Sequence, residues 1–147
     1  MMIVRNITEN DVENIVRIEN GCFPDVWTDA MWKSEIARPD FFGFILENEG
    51  EAVGFACATV LFEDAELPKI AVVPTHQGKG YGGMLLDTLL QETQRRGGER
   101  MFLEVRISNV AALRLYEKRG FVKTRIREKY YADGEAAVEM CKSFVLP

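Results

Sequence analysis

The chain has 147 residues, 47% of them hydrophobic, a formal net charge of −5 and a single histidine. That length fits one domain, residues 1–147, with a sizeable buried core. No run of eighteen apolar residues offers a transmembrane helix, residues 1–6 lack the basic start and apolar run of a signal peptide, and the net acidity weighs against nucleic acid, so the expected setting is cytoplasmic, with neither membrane nor nucleic acid as partner.

Residues 3–6 read as a first strand. Thr8 with Asp11 three positions on resembles a capping box with Asp in place of Glu. A helix follows that presents Val12, Ile15, Val16 and Ile18 at helical spacing. Phe23, Pro24, Asp25, Val26 and Trp27 break it, and Thr28 can cap a second helix carrying Met31, Trp32 and Ile36 that stops before Pro39. Residues 42–46 and 52–61 read as strands around a turn at Asn48, Glu49, Gly50 and Glu51, and residues 67–73 as the next strand. Residues 80–96 form a helix with Leu85, Leu86, Leu89 and Leu90 inward, ended by Gly97 and Gly98. Residues 101–107 are a strand, Asn109 caps a helix running to Arg119, and residues 121–131 and 136–145 make a last hairpin around Asp133 and Gly134. The order β-α-α-β-β-β-α-β-α-β-β describes an antiparallel meander, one β-α-β crossover and a terminal hairpin. That is a mixed, mostly antiparallel central sheet with helices on both faces.

Cys22, Cys57 and Cys141 are odd in number and form no C-x-x-C pair, so they read as buried free thiols. A nucleophilic cysteine would need a histidine, and His76 is the sole candidate. One histidine and scattered cysteines make no zinc ligand set, so no metal is expected. Charge is divided along the chain: residues 1–66 hold 4 basic and 14 acidic side chains, residues 67–147 hold 14 and 9. This describes either two differently solvated surfaces or a basic half for an anionic cofactor and an acidic half for a cationic partner.

The most informative stretch is residues 70–86. A short apolar run through Ile70, Ala71 and Val72 ends at Pro74; Gln77, Gly78, Lys79, Gly80, Tyr81, Gly82 and Gly83 follow, and an apolar helix begins. Strand, glycine loop and helix start together aim free backbone N–H groups and the positive end of a helix dipole at an anion. Gly78, Gly80 and Gly83 also satisfy G-x-G-x-x-G, with Glu99 and Glu104 at the spacing of a ribose-binding acid. In a dinucleotide-binding unit, however, the first glycine comes straight off a first β-strand. Here Pro74, Thr75, His76 and Gln77 intervene and the preceding strands read as hairpins. Lys79 is either near the phosphates or solvated, and His76 belongs on the loop surface.

Alternation in residues 101–107 puts Met101, Leu103, Val105 and Ile107 on one face and Phe102, Glu104 and Arg106 on the other. In a sheet covered on both faces Glu104 either pairs with Arg106, reaches solvent, or works as a general base of raised pKa. Asn109 has a structural job as N-cap. Tyr116 is either aromatic packing three residues from Leu113 or a phenol that can give up a proton.

Gln77, Gly80 and Gly82 fit Q/R-x-x-G-x-G/A, the pyrophosphate loop of the GNAT superfamily of N-acetyltransferases. Leu103 to Asn109, the run from Tyr116 to Phe121, and Tyr130 to Glu135 together resemble the ribosomal-protein-alanine N-acetyltransferase (RimI) type. The resemblance covers nearly the whole chain and is strongest from Ile70 to Met140. It implies acetyl-CoA as cosubstrate, held by Ile70, Ala71, Val72, the loop from Gln77 to Gly83, Asn109 and Tyr116, with Ile70 and Val72 pairing to the pantetheine arm. It implies Glu104 as base, through a water, and Tyr116 as general acid. Backbone N–H around Val72 would stabilise the oxyanion. Tyr130 and Tyr131 would border a peptide groove, with Phe23, Pro24 and Trp27 on the facing loop. The implied acceptor is a protein N-terminus, a ribosomal protein being the candidate. An α-amine, with a pKa of about 7.7–8.0 against about 10.4 for lysine, needs only a modest base. Acetylation of a lysine, polyamine or small amine, and a non-catalytic acetyl-CoA-binding module, are the alternatives. The sequence departs from the family where Asp25 and Val26 separate Pro24 from Trp27, and where Ala136 follows Glu135 in place of an acid. Both departures bear on peptide selectivity, not on cofactor binding.

Overall fold

A computed structural model describes residues 1–145. The elements are β1 (Met2–Asn6), α1 (Val12–Asn20), α2 (Asp29–Ile36), β2 (Phe41–Asn48), β3 (Glu51–Leu61), β4 (Asp64–Val72), α3 (Tyr81–Arg95), β5 (Arg100–Arg106), α4 (Val110–Glu117), β6 (Val122–Arg127) and β7 (Ala137–Ser143). Short 3-10 turns at Glu9–Asp11 and Pro74–His76 precede α1 and α3. The expected order of elements is thus the observed one. Local chemistry accounts for the boundaries. Thr8 and Asp11 form the reciprocal capping box. Thr28 accepts the Met31 N–H at 3.1 Å, and Asn109 accepts the Ala112 N–H at 3.1 Å.

One seven-stranded sheet runs in the order β1-β2-β3-β4-β5-β7-β6. All pairs are antiparallel except β4 with β5. The last strand in the chain therefore inserts between β5 and β6. β3 is buried on both faces: Phe55 and Cys57 pack with Ile15, Ile18 and Trp32 of α1 and α2, while Ala56 and Ala58 pack on the side of Leu85, Leu86 and Leu89 of α3. The α3 side of β5 is equally closed over Met101, Leu103 and Val105. Its other side is not. α1 and α2 cover the β2–β4 half, so Phe102 and Arg106 are half-buried and Glu104 is exposed. The expectation that Glu104 lies in a sheet covered on both faces is corrected here: its face opens on a groove.

The groove exists because β4 and β5 part. They pair only at Asp64–Arg100, Ala65–Met101 and Glu66–Phe102. Two residues later Pro68 has no N–H with which to continue the ladder. Beyond it β4 stays with β3 and β5 stays with β7. The bond from Val73 N–H to the Val53 carbonyl (2.8 Å) fixes the parity of β4. Ala71 faces β3 with its backbone groups, and Ile70 and Val72 turn theirs into the gap.

Two expectations need adjusting. The last hairpin is shorter in its strands and wider in its loop than its sequence suggests. β6 ends at Arg127 and β7 begins at Ala137, so Tyr130 and Tyr131 lie in a loop. That loop makes its own tight turn, with Gly134 N–H donating to the Tyr131 carbonyl at 2.8 Å and Asp133 Oδ1 accepting the Glu135 N–H at 3.0 Å. Of the three free thiols, only Cys57 is buried; Cys22 and Cys141 are half-buried.

Gly54 sits where α3 presses on β3 and β4. A Cβ there would lie 2.9 Å from the Ala71 carbonyl oxygen and 3.1 Å from Leu85 Cδ1. Gly54→Ala is expected to lower stability by about 1–3 kcal/mol, seen as a lower urea midpoint at unchanged slope.

Candidate active site

The gap between β4 and β5 holds a groove in two connected parts. One part, about 450 Å³, is lined by Ile70, Ala71, Val72, the loop from Gln77 to Gly83 (without Lys79), Ala111 and Leu115. The other, about 370 Å³, is lined by Pro24, Asp25, Pro68, Lys69, Glu104, Val105, Arg106, Ser108, Tyr116 and Tyr131. Cys22, Phe23, Ile70, Asn109 and Ala112 line both.

The first part is built for an anion. Gly78 and Gly80 have φ of 77° and 85°, the left-handed region that glycine enters without Cβ strain. Gly80 is the N-cap of α3, and the first intrahelical bond runs from Met84 N–H to the Gly80 carbonyl at 3.1 Å. The N–H groups of Tyr81, Gly82 and Gly83 thus have no acceptor within the helix. A cradle of this kind, with open space around Gly78 and Gly80, fits a pyrophosphate. Gln77 does something the motif does not announce. Its side-chain amide donates to the Val72 carbonyl at 2.8 Å, and the Cys22 thiol points at the same oxygen at 3.3 Å. That carbonyl is therefore taken, and Val72 offers the groove its N–H. Lys79 is exposed and lines neither part. His76 is half-buried, its ring nitrogens 3.1 Å from Asn48 Nδ2 and 3.0 Å from Thr75 Oγ1.

The second part holds the titratable groups. Glu104 is about one-third exposed. Burial raises its carboxyl above the ordinary 4.5, against the pull of Arg127 and helped by the negative charge of Glu139 and Glu66. The expected partner was Arg106; the observed one is Arg127, whose Nε lies 3.7 Å from Glu104 Oε1. That is attraction without a hydrogen bond, and the Arg127 Nε is otherwise unpartnered among the described residues. Arg127 gives its closer contact, 3.0 Å, to Glu139. Across the groove Tyr116 is buried, its ring 5.5 Å from Phe121, and burial pushes its phenol well above the usual tyrosine range. At neutral pH it holds its proton. Asn109 spends its side-chain oxygen on the α4 cap. Burial also raises the Cys22 thiol, the reverse of what a nucleophile needs.

The acceptor-side loops are tied together by Arg106, a residue the sequence offered only as a partner for Glu104. Its guanidinium bonds Asp25 on the α1–α2 loop, and Asp133 and Glu135, each at 2.8 Å, on the β6–β7 loop. It also lies 4.1 Å from the centre of the Tyr131 ring. Burial pushes the Tyr131 phenol up to about 12, with Arg106 opposing. Ser108 and Arg106 together hold the Glu135 carboxyl below its ordinary range. Asp25, which interrupts the expected Pro-Trp pair, is thus an ion-pair partner. Trp27 does not reach the groove: it stacks on Trp32 at 4.5 Å and lines a separate, shallow depression. Tyr130 is exposed, packed edge-on against Tyr131 at 5.0 Å.

Residues 12–121 match the model of the acetyltransferase (GNAT) family. The chain belongs to the GNAT acetyltransferase family. This acetyltransferase is 34% identical over 131 residues to the ribosomal protein bS18-alanine N-acetyltransferase of Escherichia coli strain K12, which covers 89% of the chain and 88% of the relative. The crystal structure of the ribosomal-protein-S18-alanine N-acetyltransferase from Escherichia coli superposes with a TM-score of 0.92 at 33% identity, over 100% of this chain and 96% of that one. Ard1 from Thermoplasma volcanium superposes with a TM-score of 0.90 at 26% identity, over 99% of both chains. The chain is therefore an acyltransferase, an N-acetyltransferase of RimI type. The dinucleotide reading falls with the topology, since the glycine loop follows the fourth strand of an antiparallel meander. Among the described residues no helix is long and apolar enough to cross a membrane, and no cluster of three metal-ligating side chains occurs.

Arg106→Met is expected to speed amide hydrogen exchange over residues 23–27 and 130–135 together, while residues 85–93 of α3 keep their protection. Loss of protection in one loop alone would show that Arg106 does not join them.

Proposed function

We propose that this single-domain acetyltransferase carries acetyl from acetyl-CoA to the α-amino group of a protein N-terminus, by direct transfer with both substrates bound. The observation that carries this reading is the continuity of the groove: the anion cradle and the Glu104–Tyr116 end share Cys22, Phe23, Ile70, Asn109 and Ala112 as walls. A cosubstrate laid along one part and an amine entering the other would meet where those residues lie. The Escherichia coli relative is named for acetylating an alanine of a ribosomal protein, so a ribosomal protein is the first acceptor class to test, one met in the cytoplasm.

Acetyl-CoA supplies the acetyl group as a thioester. Glu104 takes the proton that the ammonium of the acceptor must lose, directly or through one water. Its raised pKa brings it nearer the operating range of a general base. Tyr116, kept protonated by burial, gives its proton to the departing sulfur, and the second proton, which the nitrogen sheds on becoming an amide, restores the phenol. Ile70 and the Val72 N–H offer the pantetheine arm a strand edge, and the Val72 N–H is the donor nearest to hand for the developing oxyanion. Gly78, Gly80, Tyr81, Gly82 and Gly83 bind the pyrophosphate, while Gln77 serves them by bracing the strand end. Phe23 and Tyr131 form the acceptor walls.

Two peptides test the acceptor. One starts with a free alanine and has its lysines blocked; the other has a blocked N-terminus and free lysines. Mass spectrometry is expected to find acetyl on the first only. Acetyl on the second only would assign a lysine or small-amine enzyme, and acetyl on neither, with CoA still raising the melting temperature, a binding module.

Glu104→Gln is expected to lower kcat about 10²–10⁴-fold and to remove the acid limb of the pH–rate profile, whose midpoint lies above 4.5. The stability sign is opposite. A carboxyl raised on folding binds more protons folded than unfolded, so it costs stability as pH rises from 4.5 through the folded value. Glu104→Gln should therefore melt at or above the wild-type temperature at pH 7. A lower melting temperature would show that the Arg127 contact outweighs desolvation. Tyr116→Phe should lower kcat at unchanged affinity for acetyl-CoA.

A further inference from the structure

The mechanism makes no use of the most deeply buried carboxylate among the described residues. Glu19, near the end of α1, is 0% exposed. Its Oε1 accepts the backbone N–H of Trp27 at 3.0 Å and the indole N–H of Trp32 at 2.9 Å. Its Oε2 lies 2.5 Å from Lys69 Nζ. Lys69 is on β4, next to Ile70, and its side chain is 14% exposed. The same ammonium donates to the Asp25 carbonyl at 3.1 Å, and sits 5.1 Å from the centre of the Phe23 ring and 5.5 Å from that of Trp27.

Removing two charges from water is costly, and apolar side chains of similar volume would fill such a site at least as well. What an apolar pair could not supply is direction. Glu19 reaches the end of the α1–α2 loop through Trp27 N–H and the next helix through Trp32. Lys69 reaches the middle of that loop through the Asp25 carbonyl. The contacts of the pair to Asp25 and Trp27 fix the loop against β4, one residue from Ile70, whose backbone faces the groove.

We propose that Glu19 and Lys69 are positioning residues for the acceptor. They set how Phe23, Pro24 and Asp25 stand over the groove, and through that the affinity for the incoming amine. Lys69 holds the loop backbone from β4 while Arg106 holds the Asp25 carboxylate from β5, so the loop is strapped across the gap from both sides. This rests on the reading that residues 23–25 wall the acceptor part of the groove. It adds that the wall is held by a charge pair whose lysine lines the groove and whose glutamate is buried beneath the loop.

The experiment compares Glu19→Gln, Lys69→Met and the paired variant with wild type. Each single variant strands one buried charge and is expected to melt lower; the paired variant removes both charges and should recover most of that loss. All three should raise the acceptor KM on the order of tenfold to a hundredfold, the scale of a small misplacement at a reacting group. The acetyl-CoA KM should stay at the wild-type value, and kcat at saturating acceptor should change little. A paired variant with wild-type acceptor KM overturns the proposal, as does a parallel rise in both KM values. The acceptor is whichever peptide or amine the wild type acetylates. Should it acetylate none, the functional reading fails and the positioning role is still decided by hydrogen exchange over residues 22–27. Faster exchange in the paired variant supports it, and unchanged exchange overturns it.

Discussion

Everything functional in this acetyltransferase follows from the parting of two parallel strands. β4 and β5 share three residue pairs and then diverge, β4 staying with the meander and β5 with the terminal pair. A proline placed just past the last shared pair withholds the next donor. The backbone groups of Ile70 and Val72, which a continuous sheet would have consumed, are thereby directed into a groove. The same divergence uncovers the Glu104 side of β5 and brings α4 to the opposite wall with Tyr116. One break in a hydrogen-bond ladder thus brings a strand edge, a carboxylate and a buried phenol to one place.

Electrostatics then assigns the roles. Glu104 and Glu139 compete for Arg127, and Glu139 wins the hydrogen bond, so Glu104 keeps an attractive neighbour without being neutralised by it. Its carboxyl moves upward while that of Glu139, bonded by Thr124 and the arginines, moves downward. Two glutamates directly opposite one another on adjacent strands are thereby set apart in proton affinity. The two halves of the chain, unlike in charge, meet at one guanidinium. Asp25 from the acidic half and Asp133 and Glu135 from the basic half converge on Arg106, which is itself part of the basic half.

The sequence conveyed the fold well because its punctuation is chemical. Thr8, Thr28, Asn109 and Gly97 end or begin helices by mechanisms that need no tertiary context. The glycine loop was legible for the same reason, since its positive φ angles and open helix start are local properties. Roles set by distant neighbours were not. Gln77 reads as a loop residue and works as a brace, because its target is a carbonyl freed by a strand parting elsewhere. Asp25 reads as an interruption and acts as a tie. Trp27 fits an aromatic slot in the pattern, yet its partners are Glu19 and Trp32 in the core beneath the loop. Tyr130 and Tyr131 look like strand residues until the turn at Asp133–Glu135 and the pull of Arg106 take the loop out of the sheet.

The strand order has a consequence for how such a chain reaches its active form. β7 lies between β5 and β6 but follows both in the chain. The meander, with α1, α2 and α3 packed on it, uses only contacts among earlier residues. The strand bearing Glu104 has just three pairs to β4 and gains its full second neighbour only when β7 arrives. During synthesis the first half can therefore close around its core while the second waits, with the apolar side of β5 resting on α3 and one edge still bare. The glycine cradle, carried by the early half, takes shape before Glu104 has a settled position. Competence for cosubstrate binding thus precedes competence for transfer.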